Sequence, residues 1–127
     1  MKNIISTDKG PAAIGPYLQA TEWQGTVYVS GQLPLDPATG ALCTGSIAEQ
    51  TTQALNNIKN ILAAAGSDME HVLKATILLK DMNDFAAVNE AYGAFFPQNP
   101  PARVCYQVAA LPKNAAIEIE VIAAKEG

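Results

Sequence analysis

The stretch that most restricts what this chain can become lies near its C-terminal end, where Pro101-Ala102-Arg103-Val104-Cys105-Tyr106-Gln107-Val108 is followed by Ile117-Glu118-Ile119-Glu120-Val121-Ile122. The first run leaves a Pro-rich turn that biases Asn99 and Pro100 toward extended backbone, and its β-branched and aromatic residues then read as a strand. Arg103 falls at the mouth of that strand. In the second run Ile117, Ile119 and Val121 share one face, and Glu118, Glu120 and Ile122 share the other. A carboxylate on a face that also carries an aliphatic residue makes Glu118 a candidate for a partly enclosed acid.

The intervening segment, Leu111-Pro112-Lys113-Asn114-Ala115, has the composition of a turn between neighbouring strands, so Arg103 and Glu118 are expected at one end of a sheet. Two readings of such a pair stand side by side. One is a structural ion pair. The other is a hydrolytic site, in which a guanidinium grips a small carboxylate through two parallel hydrogen bonds beside a Glu within reach of the adjacent carbon.

The rest of the chain supplies a scaffold for either. Tyr17 to Trp23 and Thr26 to Leu33 read as a hairpin turning at Gln24-Gly25, with Gly31 marking a bulge or a close approach to the backbone. Asp36-Pro37-Ala38-Thr39-Gly40 is a turn. A first helix opens on a Ser46/Glu49 capping box, buries Ile47, Thr51, Ala54, Leu55, Ile58, Ile61 and Leu62, and stops at Gly66; its other face, Gln50, Gln53, Asn57 and Asn60, is expected to be solvated. His71 to Lys80 reads as a strand with Leu73, Ala75, Ile77 and Leu79 on one face. A second helix from near Asn83 carries Phe85, Val88, Tyr92 and Phe95 on its buried stripe and stops before Pro97, with Asn89 beside the stripe.

The resulting order of strand, strand, helix, strand, helix, strand, strand fits an α+β fold with two helices on one side of a mixed sheet. Leu78, Cys105 and Ile122 are expected on the uncovered side, which calls for a partner subunit to cover it. With 127 residues, and no linker or repeat, the chain reads as one domain over residues 1–127.

Composition narrows the function classes. A net charge of −4 with only eight scattered basic residues argues against a nucleic-acid surface. No apolar run approaches the length of a membrane span, and Met1-Lys2-Asn3-Ile4-Ile5 has no apolar core behind it, so a soluble cytoplasmic protein is the expectation. Cys43 and Cys105 read as reduced thiols. With His71 as the one histidine, neither a zinc site nor a Ser-His or Cys-His nucleophile is expected.

Several pieces in this order resemble the Rid (YjgF) family, and its RidA subgroup most: Gly15-Pro16-Tyr17, Val29-Ser30-Gly31-Gln32, Val88-Asn89-Glu90-Ala91-Tyr92, Pro101-Ala102-Arg103, Tyr106 through Lys113, and Ile117-Glu118-Ile119-Glu120. The resemblance covers residues 14–124. It implies a chorismate-mutase-like fold assembled as a homotrimeric barrel with ligand clefts at subunit boundaries. It also implies hydrolysis of short 2-imino acids such as 2-iminopropanoate and 2-iminobutanoate to 2-keto acids and ammonia, a reaction that protects pyridoxal-phosphate enzymes and needs no organic cofactor. On that reading Arg103 binds the substrate carboxylate, and Glu118 activates water and returns a proton. The Gly31 carbonyl and the Cys105 backbone amide touch the ligand, Tyr17 closes over it, and Ser30 and Asn89 support the pocket. The alternative is a non-catalytic module that binds small carboxylates or keto acids. RNA cleavage, also attached to the family, fits poorly with the acidic charge and the lack of a His pair.

Overall fold

The computed structural model describes residues 1–125. The elements run β1 (Asn3–Ile5), β2 (Ala20–Trp23), β3 (Thr26–Gln32), α1 (Ile47–Ala64), β4 (Val72–Leu79), α2 (Phe85–Gly93), β5 (Ala102–Gln107) and β6 (Ile117–Ala124). They form one six-stranded sheet in the order β1-β2-β3-β6-β4-β5, with both helices packed on one face. Only β4 and β5 pair in parallel; the remaining neighbours are antiparallel. Among the described residues no helix is long and apolar enough to cross a membrane.

Local chemistry explains most element ends. Gln24 and Gly25 both have positive φ, 50° and 83°, as a two-residue hairpin turn matched to strand twist requires. At the start of α1 the Ser46 hydroxyl accepts from the Glu49 N–H at 3.1 Å, and the Glu49 carboxylate accepts from the Ser46 N–H at 3.3 Å, completing the expected capping box. α2 is preceded by a single 3₁₀ turn, Met82–Asp84, whose entry is fixed by the Asp81 carboxylate accepting from the Asn83 N–H at 2.9 Å.

The core lies between sheet and helices. Val27, Val29, Ala75, Ile77, Ile117, Ile119 and Val121 from the strands meet Ala54, Leu55, Ile58, Ile61, Leu62 and Val88 from the helices, all buried. At about 1.5–3 kcal/mol for each large aliphatic side chain removed from water, this layer dominates the folding free energy.

Several expectations change against this frame. β6 is not beside β5, because β4 lies between them. Leu73 is exposed: a register shift between Val72 and Lys74 inserts one extra residue, so Val72 takes the core position. Tyr17 precedes β2 rather than starting it, and β1 is an additional strand. Phe96 is buried past the end of α2, with Phe95 only half-buried. Cys105 packs against the main core, because it is level with buried Ile77 and so belongs to the helix-covered side.

Asn57 departs furthest from its expected place. It is fully buried; its amide donates to the carbonyls of Leu33 (3.3 Å) and Leu35 (2.8 Å) and accepts from Gln53 at 3.0 Å. That face of α1 anchors the chain leaving β3: Asn57 gives the Leu35 carbonyl its partner and adds a second donor to the Leu33 carbonyl, which also accepts from the Leu35 N–H at 2.8 Å. Leu78 is half-buried against a small second cluster of Leu33, Leu35, Leu111 and Ala115. Elsewhere the uncovered face is open, with Trp23, Tyr28, Val104, Tyr106 and Ile122 all exposed beside Lys74 and Glu120.

Candidate active site

The residues singled out from the sequence fall into two groups on opposite faces of the sheet. Arg103 is level with Ala75 on β4, whose side chain is buried under the helices, whereas Glu118 is level with Leu78 on the uncovered side. The two lie two strands apart and three residues apart along β4, which places their backbones on the order of 14 Å from each other. Within one chain they form neither an ion pair nor a shared site.

Glu118 belongs to the first group. Next to it β3 shifts register between Val29 and Gln32, so Ser30 and Gly31 form the expected irregularity. A Cβ on Gly31 would lie 2.5 Å from Glu118 Oε2, so any larger residue there would push the Glu118 carboxyl out of its place. The Ser30 hydroxyl donates to the Leu18 carbonyl at 2.5 Å, fixing β3 to the chain that follows Tyr17. Tyr17 is partly exposed, and its hydroxyl accepts from the Ile14 N–H at 3.2 Å. Glu118, Gly31, Ser30 and Tyr17 line one cavity of about 410 Å³, to which Ile14, Leu35 and Pro112 add apolar wall and Gln19, Gln32 and Glu120 add polar groups.

Burial, and secondarily the nearby Glu120 charge, raise the Glu118 carboxyl above its ordinary value of 4.5. It accepts no hydrogen bond from the described residues that would offset this. A carboxyl so placed holds its proton more firmly than one in open water.

Arg103 defines the second group. Its Nη1 donates to Asn89 Oδ1 at 2.7 Å, and its guanidinium carbon lies 5.0 Å from the Tyr92 ring centroid and 5.6 Å from that of Phe85. These three residues recur on one face of α2 at i, i+4 and i+7, so a single helix holds the cation by a hydrogen bond and two ring faces. Asn89 is thus an orienting partner and not a surface amide. Phe85 and Tyr92 read in the sequence only as core; the signal that distinguishes them is an amide between two aromatics on the stripe facing an arginine strand. Cys105, two residues along β5, has its thiol pushed up by burial, with the Arg103 charge acting in the opposite sense. β5 is an edge strand, so one side of its backbone has no strand partner. Among the described residues no cluster of three or more His, Cys, Asp or Glu could hold a metal.

The fold is that of a known class: the endoribonuclease L-PSP family model matches residues 7–125, and the chain belongs to that family, the Rid family of the sequence resemblance. Within it, the chain is 56% identical over 123 residues to the 2-iminobutanoate/2-iminopropanoate deaminase of Capra hircus, covering 97% of this chain and 90% of that protein. Among solved structures it matches RidA from an Antarctic Psychrobacter species with a TM-score of 0.93 and 46% identity, over 96% of this chain and 98% of the other. Escherichia coli TdcF, solved with bound serine, matches with a TM-score of 0.93 and 41% identity, over 98% and 99% of the two chains.

Proposed function

We propose that this protein is an imine deaminase that hydrolyses short 2-imino acids, 2-iminopropanoate and 2-iminobutanoate among them, to 2-keto acids and ammonia. The observation that carries the reading is Glu118: a half-buried carboxyl with a raised pKa, packed on a glycine and facing a cavity, in a chain more than half identical to a named deaminase of these imines.

The chemistry follows from the two groups. Arg103, held flat between Asn89 and two rings, binds the substrate carboxylate through its planar fork. Water adds to C2 of the protonated imine while Glu118 takes one of its protons. That proton is then delivered to nitrogen, and the C–N bond breaks as the C2 hydroxyl gives up its proton to Glu118, which passes it to the departing ammonia, leaving the keto acid and ammonium. The Gly31 carbonyl and the Cys105 backbone amide contact the ligand, Tyr17 covers it, and Ser30 keeps the Gly31 segment in place. No cofactor or metal enters this balance.

Because Arg103 and Glu118 occupy opposite faces of one sheet, a working site needs two copies. One supplies Arg103, Asn89 and Cys105; its neighbour supplies Glu118, Tyr17, Ser30 and Gly31. The open face, with Trp23, Tyr28, Val104 and Ile122 exposed, gives the copies a surface to bury. The family resemblance makes the assembly a homotrimer. Residues 1–127 act as one domain, in the cytoplasm, without nucleic-acid or membrane partners.

Coupling threonine dehydratase to semicarbazide trapping tests the activity. The protein is expected to reduce the trapped imine in proportion to its concentration. Undiminished trapping at stoichiometric enzyme would leave the binding-module alternative.

A further inference from the structure

The segment from Thr7 to Tyr17 has no helix or strand, yet it forms one wall of the Glu118 cavity through Pro11, Ala12, Ile14 and Tyr17. Something outside the segment must fix its course. The Gln19 side chain, 7% exposed, does so with three hydrogen bonds to the segment's backbone. Its Oε1 accepts from the Thr7 N–H at 2.7 Å, and its Nε2 donates to the carbonyls of Thr7 (3.0 Å) and Pro11 (2.8 Å). Gly10 is pressed onto the same point: a Cβ there would lie 2.9 Å from Ile61 Cγ1 and 3.3 Å from Gln19 Nε2. The Gln19 backbone carbonyl in turn accepts from the Ser30 N–H at 2.9 Å, one residue before Gly31. One residue therefore ties the arm to the β3 irregularity that seats Glu118.

We infer that Gln19 is a positioning residue for the proposed reaction, setting through the Thr7–Tyr17 arm where Tyr17 stands over the Glu118 cavity. This rests on the deaminase reading for its catalytic consequence, though not for the placement of the arm. A buried side-chain amide with three backbone bonds is a rigid support. Methionine of similar length would fill the space and leave Thr7 and Pro11 without partners. Glutamate would keep the acceptor for Thr7 N–H but set a carboxylate against two carbonyls.

The test follows Gln19→Met and Gln19→Glu by amide hydrogen exchange and by kinetics on the intact protein. Arm amides, Thr7 N–H first, are expected to exchange at least about tenfold faster while the β3–β6 ladder keeps its protection. On 2-iminobutanoate kcat/KM should fall by about tenfold, but by less than about twofold when the same change is made in a Tyr17→Ala background, since residues acting as a unit are non-additive. Unchanged arm exchange in both variants overturns the inference, and so does a tenfold loss that persists in the Tyr17→Ala background. If the wild-type protein does not hydrolyse the imine, the deaminase reading falls, and arm exchange alone decides the place of Gln19.

Discussion

Arg103 and Glu118 stand on strands of the same sheet, but the structure treats the two charges in opposite ways. Arg103 is surrounded by partners before any ligand arrives: the Asn89 carbonyl oxygen at 2.7 Å and the faces of Tyr92 and Phe85. Glu118 accepts no hydrogen bond from the described residues, lies against the backbone of Gly31, and is pushed toward its protonated form by burial and by Glu120. A cation already oriented by one acceptor and two rings, with N–H donors to spare, suits binding, where pre-organisation limits the entropy lost with the ligand. An acid denied partners suits proton transfer, where a pKa drawn toward neutrality increases its usefulness in both directions. The contrast supports the two proposed roles, binding for Arg103 and proton transfer for Glu118.

Altering the acid should have the largest effect. Glu118→Gln keeps the shape and removes basicity, so imine turnover should fall by about 10²–10⁴ while calorimetric affinity for 2-ketobutyrate is retained. Lost binding in that variant would make Glu118 an orienting group and erase the contrast.

The arginine side should respond differently. Arg103→Lys keeps the charge but loses the fork and its fit between two rings, and should cost about 2–5 kcal/mol of transition-state stabilisation, with keto-acid affinity falling alongside turnover. Turnover near wild type would show that charge alone suffices there.

A smaller effect lies in the pH profile. With its pKa raised in the fold, the Glu118 base form is populated only above a midpoint higher than 4.5, so the acid limb of kcat/KM should lie above the range of an ordinary carboxylate. The same shift makes the folded protein bind the proton more tightly than the unfolded chain. Stability contributed by protonated Glu118 is therefore present at low pH and lost as pH rises from about 4.5 through the folded pKa, and a Glu118→Gln protein should lack that loss. Chemical denaturation of both proteins across this range measures it; parallel curves would contradict the raised value.

The alternation of Ile117 to Ile122 correctly separates the Glu118 face from the core face, and the capping box and the Gln24-Gly25 turn mark their elements in the sequence because each is decided by residues a few positions apart. Strand order is decided by distant packing. The turn at Leu111 to Ala115 reads as a link between neighbours, but β4 enters between β5 and β6 and carries Arg103 to the far side. Leu73 illustrates the same limit at one residue, since a single bulge hands its core place to Val72. Asn57 and Gln19 are indistinguishable from surface amides in the sequence because their partners are backbone groups of loops whose course only the fold defines. The family motifs name most of the candidate site residues, while the fold decides which of them one chain can bring together.

Subunit complementation tests most directly whether the two groups meet across an interface. Arg103→Ala and Glu118→Gln proteins, each nearly inactive, would be unfolded together and reassembled as a mixture. If a site takes Arg103 from one copy and Glu118 from another, random equal mixing leaves about a quarter of the clefts with both native residues, and imine turnover should recover to about that fraction of wild type. If mixed oligomers form, shown by mass, and activity stays at the level of the separate variants, the two-copy site is wrong.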